Sequence, residues 1–114
     1  MLMSTEKKIA KLEKYSKKQN IGKLSKYADS KHPEIRLAVA KKLAGIKTDE
    51  SYNTLIIMLK DNDSLVRKQA VLSLGELGRN SAFTHINYIL DTTTDPDLQK
   101  ACRNSLSKIH NTEV

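Results

Sequence analysis

The chain has 114 residues, of which 39% are hydrophobic, 29% charged and 4% aromatic, with one Phe, four Tyr and no Trp. That length fits one domain, its core must come from Leu, Ile, Val and Ala, and a single Cys excludes both a disulfide scaffold and a cysteine metal cluster. The net charge of +7 is uneven, at +6 over residues 1–28, +2 over 29–60 and −1 over 61–114, so any attraction to nucleic acid, anionic lipid or acidic partners is local. No apolar run approaches the roughly 20 residues that span a bilayer. The start, Met-Leu-Met-Ser-Thr-Glu-Lys-Lys, turns charged at once and lacks the apolar block of a signal peptide, so a cytoplasmic protein is expected.

Residues 1–19 form the first unit, with a basic amphipathic helix expected over about 4–19 that caps the rest of the fold. Ile9 and Leu12 make a narrow apolar edge, and Glu13 is spaced to pair with Lys17. Lys7, Lys11, Lys14 and Lys18 fall within about 60° of one another on the other side. Residues 20–110 then divide into three helical hairpins, over about 20–47, 48–78 and 79–110, followed by a flexible tail at 111–114. In the first hairpin Leu24, Tyr27 and Ala28 mark a short opening helix. In the second, Asp49 opens a helix with Tyr52, Leu55, Ile56 and Leu59 as its apolar stripe. In the third, Phe83, Ile86, Ile89 and Leu90 take that part.

The closing helix of each hairpin is where the repeat is plainest. At an offset of 31 residues, Ile35 matches Val66, Arg36 matches Arg67, Val39 and Ala40 match Ala70 and Val71, Leu43 matches Leu74, and Ile46 matches Leu77. At a further offset of 32, Asp63, Val66, Ala70, Leu74 and Leu77 match Asp95, Leu98, Cys102, Leu106 and Ile109. Asp95 before Pro96 places an N-cap acceptor ahead of a proline at the first helical position. Asp63 caps the middle copy, and Pro33 marks the same point in the first. The apolar positions recur at spacings of 4, 4 and 3, as one face of an amphipathic helix demands. Gly78 stands where a left-handed helix end is expected. The fold class is therefore all-α: an α-solenoid of about three antiparallel hairpins with an extra N-terminal helix.

The middle copy, Asp63-x-x-Val66-Arg67-x-x-Ala70-Val71-x-x-Leu74-Gly75-x-Leu77-Gly78, resembles a HEAT-type repeat, in particular the short HEAT-like repeats of many bacterial and archaeal proteins. The resemblance covers about residues 22–110. The first copy departs in having His32 at the usual Asp position, and the third has Gln99 in place of the Arg. The resemblance implies a binding role and no particular reaction. It also implies that Arg36 and Arg67 form a structural ladder, each meeting Asp side chains or carbonyls in neighbouring turns. Some lyases and DNA glycosylases share such repeats, but the glycosylases use aromatic residues with an acidic one at their concave face, whereas this chain has no Trp and its single Phe, Phe83, falls on a helix core stripe.

Residues that could carry chemistry have structural explanations. Cys102 lies on the apolar stripe and reads as a small buried hydrophobe. His32, His85 and His110 lack the helical spacing of a metal site. No nucleophile has a base beside it, so neither a catalytic residue nor a cofactor or metal ligand is assigned. Surfaces remain. Outside the core stripe, the closing helices leave Leu37, Ala38 and Lys41; Leu65, Lys68, Gln69, Leu72 and Glu76; and Asp97, Lys100, Ala101, Asn104 and Lys108. An outward Leu has no role in an isolated solenoid, so Leu37, Lys41, Leu65, Lys68, Gln69, Leu72, Lys100 and Asn104 are the candidate protein-binding residues on the concave face. Self-association is another use of such a patch. The alternative is an accessory protein that binds nucleic acid or another polyanion weakly through Lys7, Lys11, Lys14 and Lys18.

Overall fold

The computed structural model describes residues 4–111, with side chains through residue 109. The expected tail at 111–114 lies outside the described residues, save that Asn111 is the last residue of a helix. Among the described residues the elements are seven α-helices: α1 (Thr5–Lys17), α2 (Ile21–Lys26), α3 (Pro33–Leu43), α4 (Asp49–Met58), α5 (Ser64–Leu77), α6 (Ala82–Thr92) and α7 (Pro96–Asn111), with one 3₁₀ turn at Tyr27–Asp29 after α2.

Every helix but α6 begins at a side chain that accepts from its unpaired N–H groups or at a proline that has no N–H to satisfy. Ser4 accepts from the Lys7 amide at 3.3 Å and Asn20 from the Lys23 amide at 3.3 Å. Asp63 accepts from the amides of Leu65 at 2.9 Å and Val66 at 3.1 Å. Pro33 and Pro96 occupy first helical positions, where the missing N–H costs nothing. Thr48, and not Asp49, caps α4, accepting from the Ser51 amide at 3.1 Å; Asp49 sits in the first turn, where a carboxylate favours the helix dipole. Gly78 closes α5 at φ 73°, the left-handed conformation that glycine adopts without a Cβ penalty.

Two rows of helices result. α1 packs along α3, α3 along α5 and α5 along α7, while α2, α4 and α6 lie behind them. The backbone measures 47 × 31 × 16 Å. A thickness of 16 Å is that of two helix layers whose axes lie about 10 Å apart. Between the rows Leu12, Leu24, Ile35, Val39, Leu43, Leu55, Val66, Val71, Leu74, Ile86 and Ile109 are buried. Each such side chain contributes about 1.5–3 kcal/mol relative to exposure. No helix among the described residues is long and apolar enough to cross a membrane.

Three sets of polar contacts fix the register of the repeats. Arg36 holds Asp61 through two bonds, Nε to Oδ2 at 2.8 Å and Nη2 to Oδ1 at 3.0 Å, and also reaches the Ser30 carbonyl at 2.8 Å. Arg67 donates to the Asp61 carbonyl at 2.8 Å, and Gln99 to the Thr93 carbonyl at 3.0 Å. The third copy thus keeps the same reach, six residues back, with an amide in place of the guanidinium. Second, the hydroxyls of Ser30, Thr93 and the carboxylate of Asp61 each accept from the amide two residues on, shaping all three turns alike. Third, buried Ser73 donates to the Ala40 carbonyl at 2.7 Å and buried Ser105 to the Val71 carbonyl at 2.8 Å.

Several sequence expectations are corrected. Phe83 is 42% exposed, because among the described residues no further helix of that row packs against α6; Ala82 takes the core position instead. Ala101, expected to face outward, is buried. Glu13 bonds Lys42 of α3. That hydrogen bond, then the charges of Lys42 and Lys17, hold the Glu13 carboxyl below the usual carboxylate range.

Candidate binding surfaces

On the inner row, Leu37 and Lys41 of α3 and Leu65, Lys68, Gln69 and Leu72 of α5 line one shallow hollow of about 220 Å³. These are six of the eight residues that the helical register pointed to. Their positions differ in detail. Leu65 is 61% exposed, whereas Leu37 and Leu72 are half-buried and pack against the core. Gln69 reaches the Ser73 hydroxyl at 3.1 Å, which ties the floor of the hollow to the buried serine ladder. Lys41 and Lys68 form no ion pair among the described residues, so their charges are available at the rim. Lys100 and Asn104 are exposed on α7, farther along the same row, and do not line the hollow. Glu76 and Lys108 pair with each other between α5 and α7.

The four lysines Lys7, Lys11, Lys14 and Lys18 are all exposed, on the free edge of α1 opposite buried Leu12, and have no ion pair among the described residues. Nearby, Tyr15 and Tyr27 stack at 6.4 Å between centroids, and the Lys23 ammonium lies 5.3 Å from the Tyr15 ring.

A larger feature lies on the other layer. α4 and α6 do not pack along each other, and a groove of about 1240 Å³ opens there, bounded also by α2 and the 3₁₀ turn. Ile57, 72% exposed, and Tyr88, 70% exposed, both line it. The signal for Ile57 was present in the sequence: Leu55-Ile56-Ile57-Met58-Leu59 is a five-residue apolar run, and a helix cannot turn five successive residues to one side. Tyr88 lies off the apolar stripe of α6, on the side of the helix away from Ile86 and Ile89, and the register alone turns it outward.

Electrostatics single out Asp61, at the edge of that groove. Burial pushes its carboxyl up. The bond from Arg36, the Asp63 amide and the charges of Arg36 and Arg67 outweigh this and hold it below the usual range. Cys102 is buried, and burial pushes its thiol up to about 11 against a small opposing pull from Arg103. A thiol so placed is not nucleophilic at neutral pH. No group of His, Cys, Asp and Glu among the described residues is disposed to hold a metal ion.

A family model described as HEAT repeats matches residues 21–107. No curated protein matches the chain.

Proposed function

The chain belongs to the HEAT-repeat family, whose repeats are commonly protein-interaction scaffolds, and from that premise we propose that it is a small binding scaffold. Its site is the hollow between α3 and α5. The observation that carries this reading is Leu65, 61% exposed beside Leu37 and Leu72. An apolar centre with lysines at its rim suits a protein segment that offers one or two apolar side chains flanked by carboxylates. Burial of the apolar part supplies affinity and the charges supply register.

Tagged protein incubated with native lysate, with and without nuclease, tests this. A protein partner retained after nuclease and lost with Leu65→Arg supports the scaffold reading. A partner unaffected by Leu65→Arg removes the hollow from consideration.

The exposed lysine edge of α1 favours a second reading, contact with a polyanion. Four lysines neutralise at most a few phosphates, so counterion release sets a log–log salt slope of about −3 to −4 on duplex DNA. Anisotropy of labelled duplex across a salt series measures it. Binding that ignores salt, or survives reversal of all four lysines to Glu, rejects this reading.

A further inference from the structure

We infer that the hollow is the middle of a longer site, in which an extended acidic protein segment crosses all four inner helices. One apolar side chain of the segment enters the hollow, and its carboxylates meet one lysine on each of α1, α3, α5 and α7. The inference rests on the scaffold reading above and deepens it, by fixing the conformation, length and charge pattern of the partner.

Charge is divided between the two rows. The inner helices α1, α3, α5 and α7 carry thirteen Lys and Arg against five Asp and Glu, whereas α2 with its 3₁₀ turn, α4 and α6 carry two against four. Ion pairs within the fold occupy Lys42 with Glu13, Lys108 with Glu76, and Arg36 with Asp61. Ten inner-row cations then remain against three carboxylates, those of Glu6, Glu34 and Asp97. These three stand in the first turns of α1, α3 and α7, at the edge where the parallel inner helices begin. Farther along comes a basic band. Lys14, Lys41, Lys68 and Lys100 each stand two residues from a buried core residue of their own helix, so each is turned about 200° from it, to the side away from the core. None of the four has an ion pair among the described residues.

Shape selects the conformation of the partner. One turn of a helix 10 Å across occupies about 420 Å³, so a hollow of about 220 Å³ takes a side chain and not a helix. Neighbouring inner helices stand about 10 Å apart, so α1 and α7 are about 30 Å apart, a distance that about nine residues of extended chain span. Every second side chain of such a segment points to the same face. With its apolar residue i over the hollow, residues i±2 lie about 7 Å and i±4 about 13 Å to either side. The hollow lies between α3 and α5, so the helices bearing Lys41 and Lys68 are about 5 Å from its centre and those bearing Lys14 and Lys100 about 15 Å. A flexible lysine arm closes the difference. The segment therefore reads acidic-x-acidic-x-apolar-x-acidic-x-acidic.

Other occupants fit less well. Leu37 and Leu72 are half-buried in a concave wall, so of the three leucines only Leu65 could enter a lipid surface. A nucleic-acid backbone meets the lysines but sets phosphate over the leucines and leaves the hollow unfilled. Among the described residues, a second copy of the chain has no extended stretch of nine residues to offer.

The probe is the labelled peptide Glu-Ser-Glu-Ser-Leu-Ser-Glu-Ser-Glu, and its anisotropy is followed on the full chain. Its comparators carry Ser for Leu, Lys for Glu, or the same residues with the four Glu gathered at one end. The first probe should bind at least tenfold tighter than any comparator and weaken as salt rises. Leu65→Ser should weaken it tenfold or more, Lys14→Glu with Lys100→Glu several-fold, and Ile57→Ser not at all. All four positions are exposed, and a thermal melt equal to the parent's verifies that each variant is folded. Loss with Leu65→Ser but indifference to the lysine double substitution leaves the hollow standing and overturns the crossing segment. Indifference to Leu65→Ser removes the hollow and the inference with it. No binding of the probe at low salt overturns the inference alone when the lysate partner still depends on Leu65. Equal binding of the gathered-Glu peptide overturns it, as does duplex DNA that binds tighter than the probe and ignores Leu65→Ser. So does sedimentation of the chain with phosphatidylserine vesicles that Leu65→Ser abolishes.

Discussion

Adding one methyl group at Gly75 should destabilise the protein, although the same change usually strengthens a helix. Gly75 lies inside α5 where α7 crosses closest. A Cβ there would stand 2.6 Å from Ser105 Oγ, 2.8 Å from its Cβ and 2.9 Å from its Cα. Carbon atoms rest at about 3.5–4.0 Å, so α7 must retreat by nearly an ångström. Rotating Ser105 does not help, because its backbone is one of the atoms met. Retreat stretches the Ser105–Val71 bond, now 2.8 Å, and loosens the packing of buried Ala101 and Cys102. Overpacking costs about 1–3 kcal/mol and the weakened hydrogen bond about 1, while Ala in place of Gly returns about 1. The net for Gly75→Ala is a loss of about 1–3 kcal/mol. Gly22→Ala is the control: in α2 the new Cβ would find only Asn20 Oδ1, at 4.0 Å, so stability should rise by about 0.5–1 kcal/mol. Urea denaturation followed by circular dichroism measures both. A Gly75→Ala protein as stable as its parent would refute the close approach of α5 and α7.

The Arg36–Asp61 pair should show coupling of about 1–3 kcal/mol in a double-mutant cycle of Arg36→Ala and Asp61→Ala, measured by the same denaturation; additive single losses would mean that the bidentate contact is idle. Because the Asp61 carboxyl is held below its ordinary value in the folded state, its stabilisation is complete above about pH 4 and disappears as pH falls through the folded value. Asp61→Asn should therefore flatten the acid limb of a melting-temperature profile. Cys102 should resist alkylation at pH 8 in the native protein and react fully in denaturant, which a thiol titration checks. Leu74→Ala, at the buried centre of the middle repeat, should cost about 2–5 kcal/mol in a thermal melt.

The arginine ladder was implied by the resemblance to HEAT-type repeats, while helix positions, most caps and the core of the inner row were legible in the sequence. Each depends on residues within one or two turns, or on a repeat that shows itself by offset. Asp63, Pro33, Pro96 and Gly78 act locally, so their roles do not await the rest of the chain. The register placed Leu37, Leu65 and Leu72 outside the core stripe, but that they line one hollow was decided by how α3 and α5 pack together. What each helix meets beyond its main stripe was decided only in three dimensions. A solenoid helix touches its hairpin partner and its neighbours in the row, so positions outside one stripe are covered or bare according to how near those neighbours come. Gly75 lets α7 come close, and Ala101 is buried as a result. Lys42 comes within reach of Glu13, which the local pattern assigned to Lys17. Among the described residues no helix follows α6 in its row, so Phe83 stays exposed although it sits on the helix's apolar stripe, whereas Ile57 and Tyr88 lie off the stripes of α4 and α6 and were placed outward by the register. Periodicity encodes direction around one helix axis; the distance to the next helix is set by the side chains of both, and only the assembled layers contain it.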